Sequence, residues 1–278
     1  MGTELQRRGA DTRLPLWSAR ALLESPDLVF AIHKDEVSAG AEVLTANTFR
    51  THRRSLAKAG LEPRSHELTL LAVRLAREAA GEAGHRVFVA GSLSPLEDCY
   101  RPDLVPDDQA LESEHRDQAE SLAAAGVDVI LLETHNTVRE LVAAAQGARK
   151  TGLPFVASML TDGSGRMLSG EPIETAVRAL EPLEPDALSI NCVPARRLAF
   201  DLTRLAVAAP DVPLGAYGNL GVPEDDSGWR FSDEVPPDAY SSCARRWIAI
   251  GARLVGGCCG TTPAHTAAVR YAISIASP

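Results

Sequence analysis

No run of about 18 consecutive apolar residues occurs anywhere in the 278-residue chain, so no segment reads as a membrane span. The opening residues, MGTELQRRGADTR, contain no apolar core and do not read as a secretory signal. Lysine is almost absent. Lys34, Lys58 and Lys150 are the only three among 28 basic residues; the rest are arginines scattered along the chain, outweighed by 37 acidic residues to a net charge of −9. Without a basic cluster there is no electrostatic footprint for nucleic acid. An acidic chain without a signal points to a cytoplasmic protein that binds a small molecule. No Gly-x-Gly-x-x-Gly follows any strand-like run, which argues against a dinucleotide-binding doubly wound sheet. Cysteine is scarce and odd in number, at five, and two of the five, Cys258 and Cys259, are adjacent. That is no disulfide framework, and metal binding or catalysis is the better assignment for the pair.

What the chain does have is alternation. Short Val-, Leu- and Ile-rich runs at 42–46, 87–91, 127–132, 154–160, 186–191, 212–217 and 252–256 have the composition of strands buried on both faces. Amphipathic helical patterns lie between them, such as Leu68, Leu71, Ala72, Leu75 and Ala79 opposite Arg74, Arg77 and Glu78. Ser25-Pro26 reads as a helix N-terminus, and Gly40 and Gly126 as helix ends. Unbroken strand–helix alternation predicts a parallel sheet with crossover helices. We therefore expect residues 1–278 to form one (β/α)8 TIM-barrel domain. Only seven strands are visible, and the last segment reads as an eighth helix, so the strand not seen is the first. It is expected to be absent or to lie upstream of Met1.

In a parallel barrel the site collects at the C-terminal strand ends. Those ends carry Asn47, Thr48 and Phe49, then Ser92, Glu133, Cys192, Tyr217 and Asn219, and finally Gly256-Gly257-Cys258-Cys259-Gly260. Cys192 and the pair Cys258–Cys259 fall two strands apart on one rim, so they can meet. Three thiolates suit zinc and leave its fourth position open, the pattern of a catalytic site.

The segments MGTEL, TANTFRTH, LLET, SINC and GGCCGTTPAH together resemble the homocysteine S-methyltransferase family, over nearly the whole chain. The resemblance implies a zinc-binding barrel that methylates the thiol of homocysteine to give methionine. By position it implies Cys192, Cys258 and Cys259 as zinc ligands that activate the substrate thiol, and Glu133 as the residue that holds the substrate's amino group. It further implies Asn47, Thr48 and Phe49 as lining of the homocysteine pocket. Members of the family carry an Asp-Gly pair at the end of the first strand, just before the MGTEL segment; here that position would precede Met1. Thr134 stands where betaine-dependent members have a tyrosine. Tyr217-x-Asn219 resembles the Tyr-Pro-Asn of the S-methylmethionine type, with Gly218 in place of proline, and adds Tyr217 and Asn219 to the expected substrate contacts. The favoured donor is thus S-methylmethionine or S-adenosylmethionine. The alternatives are betaine, another thiol acceptor, or a non-catalytic thiol- or zinc-binding barrel. Homo-oligomerisation is left open.

Other residues have plainer readings. Cys243 lies in an apolar helical stripe and reads as core. Cys99 reads as a packing or surface thiol near the rim, and His135 and Asn136 as the start of a helix. Asp162-Gly-Ser-Gly165 reads as a turn. His33, His52, His66, His85 and His115 read as solvated, and His265 as at best a supporting residue behind the site.

Overall fold

The seven expected runs all become strands of one parallel sheet. The computed structural model describes residues 1–224, 228–232 and 235–276. The strands are β1 (Val43–Ala46), β2 (Phe88–Leu93), β3 (Val129–His135), β4 (Phe155–Met159), β5 (Ala187–Pro194), β6 (Leu214–Asn219) and β9 (Ala252–Gly257), hydrogen-bonded in that order. A short antiparallel hairpin, β7 (Val222–Glu224) with β8 (Gly228–Arg230), follows β6 and was not visible as a pattern. The helices are α1 (Gly2–Arg7), α2 (Arg20–Glu24), α3 (Pro26–Ser38), α4 (Arg53–Ala57), α5 (Ser65–Gly81), α6 (Asp108–Ala124), α7 (Val138–Lys150), α8 (Ile173–Leu180), α9 (Leu198–Ala208), α10 (Pro237–Ile250) and α11 (Pro263–Ala276). This is the expected TIM-barrel architecture with seven strands in the curled sheet.

Side-chain alternation sorts each strand into an inner and an outer set. Ala90, Leu131, Val156, Ala187 and Tyr217 pack together on the inner face. Ile130, Leu132, Ala157, Met159, Leu188 and Ile190 face outward into the main core, against helices that include α7 and α9. Each such leucine or isoleucine contributes ~1.5–3 kcal/mol by leaving water. The N-terminal ends of the strands share one polar device. The Asp128 carboxylate accepts the backbone N–H of Val89 at 2.7 Å and pairs with Arg77 at 2.7 Å. Asp186 accepts the N–H of Phe155 at 2.9 Å in the same way. Each aspartate, just ahead of one strand, satisfies a donor at the start of the strand before it.

Three of the histidines expected to be solvated are buried. His33 on α3, His52 ahead of α4 and His115 on α6 are 2%, 3% and 0% exposed. His115 backs onto Gly147 of α7, where an added Cβ would lie 3.1 Å from the His115 backbone. His52 bonds Ser55 Oγ at 2.8 Å at the start of α4. Periodicity in a single helix does not report which neighbour a polar residue will meet. His66 and His85 are exposed as expected.

Among the described residues β1 and β9 each have one sheet neighbour and do not pair with each other. The slot between them is walled by Ile32, His33 and Glu36 of α3 and by Val269 and Arg270 of α11. Leu254 and Val255 of β9 are only half-buried, unlike their counterparts in β4 and β5. Polar bridges span the gap, Thr266 Oγ1 to Glu36 at 2.7 Å and Arg270 to Glu42 at 2.8 Å. The buried Nε2 of His33 has no partner. Thr3 Oγ1 accepts the N–H of Gly260 at 3.0 Å, which fixes the Met1 end beside the C-terminal rim of β9. A strand ending at Met1 would therefore run parallel to both edges and satisfy their open backbone groups. Fusing about 8–12 residues ahead of Met1, apolar and ending in an Asp-Gly pair, should raise Tm, by about 2–4 °C for each kcal/mol gained. An unchanged Tm on thermal unfolding would contradict this account of the slot.

Candidate metal centre and substrate pocket

The strand ends run further than the apolar pattern suggests, and the overrun carries the site. Asn191 faces inward, where its side chain bonds Ser158 Oγ at 2.9 Å and Thr134 Oγ1 at 2.7 Å. Strict alternation would then point Cys192 at the helices. Instead the β5–β6 register shifts between Asn191 and Pro194, and Cys192 takes the left-handed region at φ +54°. This irregularity turns the Cys192 thiol into the cavity, which it lines. Asn219 holds the turn by donating to the Cys192 carbonyl at 2.7 Å.

Cys258 and Cys259 follow β9 in a loop clamped on both sides. Cys258 N–H donates to the Gly218 carbonyl at 2.9 Å, and the Cys259 carbonyl accepts from Leu220 N–H at 2.8 Å. Arg7 of α1 donates to the Gly260 carbonyl at 2.7 Å. Gly260 sits at φ +84°, and a Cβ there would lie 1.9 Å from the Leu220 carbonyl oxygen. The Tyr240 hydroxyl lies 2.9 Å from the carbonyls of both Gly218 and Gly256, bracing β6 against β9.

As a result the sulfurs of Cys192, Cys258 and Cys259 lie within 4.8 Å of one another. Tetrahedral zinc–thiolate bonds of ~2.3 Å place sulfurs about 3.8 Å apart, so the donor set fits a thiophilic cation. Without a cation the three cannot all ionise. Cys258 and Cys259 donate to Cys192, with Tyr100 adding a third bond, which holds the Cys192 thiol well below its ordinary range. The same bonds to Cys192, with burial, hold Cys258 and Cys259 well above theirs. The Tyr100 hydroxyl lies 3.4 Å from Cys192 Sγ. Tyr100 comes from the loop after β2, and no residue pattern there signalled it. That loop is pinned by Asn136 Nδ2, which donates to the Cys99 carbonyl at 2.8 Å. Cys99 itself is buried and lines the cavity.

A cavity of about 460 Å³ joins this cluster to the slot. Glu133, on the inner face of β3, forms part of its wall and accepts from Ser92 Oγ at 2.8 Å. Burial pushes the Glu133 carboxyl up to about 7, against the lowering effect of the Ser92 bond. Asn47, Phe49 and Tyr217 also line the cavity. Asn47 spends its amide on the Ser18 carbonyl at 2.9 Å. Thr48 and Asn219 are not part of the lining. The Thr48 hydroxyl donates to the Ser92 carbonyl at 2.9 Å, so both residues brace the wall from behind. The hairpin adds Pro223 and Trp229 over the mouth, and Gln6 of α1 ties it down through the Trp229 carbonyl at 3.0 Å.

His135 ends β3 and does not start α7, which begins at Val138 with Thr137 as its cap. With His115 and Glu140 it forms a second group close enough to hold a cation. None of the three lines the cavity, and each already has a protein partner. Glu140 accepts the Leu96 N–H at 2.8 Å and His115 Nε2 at 3.3 Å, and His135 Nε2 meets the Leu93 carbonyl at 3.2 Å. Asp162 accepts the Ser164 N–H at 2.7 Å, closing the expected turn. Cys243 packs half-buried against the core. His265, on α11, caps its own helix start through Thr262. No described helix is long and apolar enough to cross a membrane.

Residues 1–273 match the family described as homocysteine S-methyltransferase. The homocysteine S-methyltransferase of Escherichia coli is 32% identical over 97% of this chain and 92% of its own length. The methionine synthase of Mycobacterium tuberculosis is 29% identical over 99% of this chain, which spans about a quarter (24%) of that longer relative. Among solved structures, the metallated form of the homocysteine methyltransferase MmuM from Escherichia coli superposes with a TM-score of 0.83 at 31% identity, covering 98% of this chain and 93% of that one.

The clamped loop makes a local test. Gly260→Ala should cost about 1–3 kcal/mol from the left-handed backbone alone, and more from the contact with Leu220. Denaturant unfolding would measure it, and a variant as stable as the parent would contradict the geometry described for the loop.

Proposed function

The chain belongs to the homocysteine S-methyltransferase family, and we propose that it moves a methyl group from a small cationic donor, S-methylmethionine or S-adenosylmethionine, to the thiol of homocysteine. In this reading Cys192, Cys258 and Cys259 hold one zinc ion, and the whole barrel serves as a single homocysteine-binding domain. The observation that carries it is the convergence of those three thiols beside the cavity wall that bears Glu133.

Zinc at this site would supply the means to keep a substrate thiol ionised at neutral pH, where a free alkyl thiol is mostly protonated. The protein's own residues do the rest. Glu133 takes the ammonium group by a charge-assisted hydrogen bond, with Ser92 fixing its carboxylate. Phe49 and Tyr217 bound the space beside it and exclude water. The substrate sulfur attacks the methyl carbon in line, a new C–S bond forms, and the old C–S⁺ bond breaks. Its electron pair returns to the donor sulfur, which leaves as a neutral thioether. Holding both reactants in that line is worth up to ~7–11 kcal/mol. Thr134 and the Tyr217-x-Asn219 pair favour a sulfonium donor over betaine, and side-by-side assays with the three donors decide between them.

The purified protein should contain about one zinc per chain. Cys192→Ser, Cys258→Ser or Cys259→Ser should each abolish turnover and weaken zinc retention, measured by metal analysis after dialysis against a chelator. Full activity in a zinc-free preparation would sink the reading.

Glu133 gives a pH test with a definite sign. Its carboxyl, pushed up to about 7, is neutral below that pH and charged above it. Ammonium binding needs the charge, so the apparent KM for homocysteine should rise as pH falls through about 7. In Glu133→Gln the KM should be about 10- to 150-fold higher at pH 8, with much of this pH dependence gone, while zinc content is retained. Loss of zinc from that variant would make Glu133 a ligand or support of the metal instead.

A further inference from the structure

Arg50 follows the Asn47–Phe49 segment, lines the cavity, and is 7% exposed. Its protein contacts are poor for a buried cation. Nη1 is 3.4 Å from Ser55 Oγ, the guanidinium lies 5.7 Å from the Phe49 ring, and Nε has no partner. Among the described residues it forms no ion pair. The neighbouring basic residues all do. Arg53 takes Glu62, Arg54 takes Glu97 and Glu114, and Lys58 takes Glu97. Asp98, which shares the cavity wall, accepts the Tyr100 N–H at 2.8 Å and is not paired with Arg50.

A guanidinium stays charged at any working pH, and burying one without a counter-ion is costly. Its planar fork matches a carboxylate, which it binds through two parallel hydrogen bonds. We propose that Arg50 receives the α-carboxylate of an amino-acid substrate in this cavity. The inference rests on the functional reading above and adds to it. Glu133 takes an ammonium group and Arg50 a carboxylate, so the pocket selects amino acids over simple thiols or sulfonium ions. Homocysteine and an amino-acid sulfonium donor both carry that group, and the experiment separates them.

The test is direct binding to the zinc-loaded protein by titration calorimetry. Its four ligands are homocysteine, its decarboxylated analogue 3-aminopropane-1-thiol, S-methylmethionine, and the decarboxylated S-methylmethionine. The parent should prefer the carboxylate-bearing member of one pair by about 10- to 150-fold. Arg50→Gln should erase that preference for the same pair, and Arg50→Lys should restore part of it. The affected pair identifies the carboxylate. Without ligand, Arg50→Gln should keep or raise Tm, because it removes an unpaired buried charge; a purely structural arginine would lower it. A carboxylate preference that survives in Arg50→Gln for both pairs overturns the proposal, as does a parent with no preference for either. Because binding and not turnover is read, a parent that binds these ligands but transfers no methyl group would overturn the functional reading alone.

Discussion

Three sulfur atoms held within 4.8 Å of one another at a half-buried rim cannot all carry charge unless a cation shares the space. That constraint organises the upper half of the molecule. Cys192 accepts hydrogen bonds from its two neighbours and from Tyr100, so one thiolate is stabilised at the expense of the other two thiols. In the proposed reading a dication would let all three ionise, and the anionic centre would leave a bound substrate sulfur electron-rich and reactive. The register shift at Cys192 and the Gly260 loop bring the sulfurs together.

The barrel achieves this with two local departures from regular structure. A register shift and a left-handed backbone at Cys192 rotate its thiol inward. A loop without room for a side chain at Gly260 sets the Cys258–Cys259 pair, held by Leu220 on one side and by α1 on the other. Both rely on β6, which pairs with β5 on one side and β9 on the other and which Tyr240 braces against β9 from the helix layer. The open slot lies on the far side of β9, so among the described residues the strand that carries the cysteine pair has β6 as its one sheet neighbour. Glu133 and Arg50 line the same cavity as this cluster, and in the proposed reading they take the two ends of an amino acid.

The strands were legible because parallel-sheet strands buried on both faces are short continuous apolar runs, which nothing else in the chain imitates. Their ends were not. β3 runs on to His135 and β5 to Pro194, well into polar residues, because backbone pairing continues wherever a neighbouring strand offers partners. The cysteines and Glu133 could be placed since residue type and strand-end position coincide there. Tyr100 and Arg50 could not, for they lie in loops, where no periodicity reports which way a side chain turns. The burial of His33, His52 and His115 was hidden for a related reason, since it depends on helix neighbours far away in sequence. Thr48 and Asn219 were placed at strand ends, yet the Thr48 hydroxyl and the Asn219 amide nitrogen are engaged by backbone carbonyls behind the wall.

The most direct measurement is X-ray absorption at the zinc edge of the purified protein, with and without homocysteine. The account predicts three sulfur ligands at about 2.3 Å and one lighter atom in the resting protein, changing to four sulfurs when homocysteine is added. A zinc ion with fewer than three sulfur ligands, or one whose ligand set does not change when homocysteine binds, would contradict it.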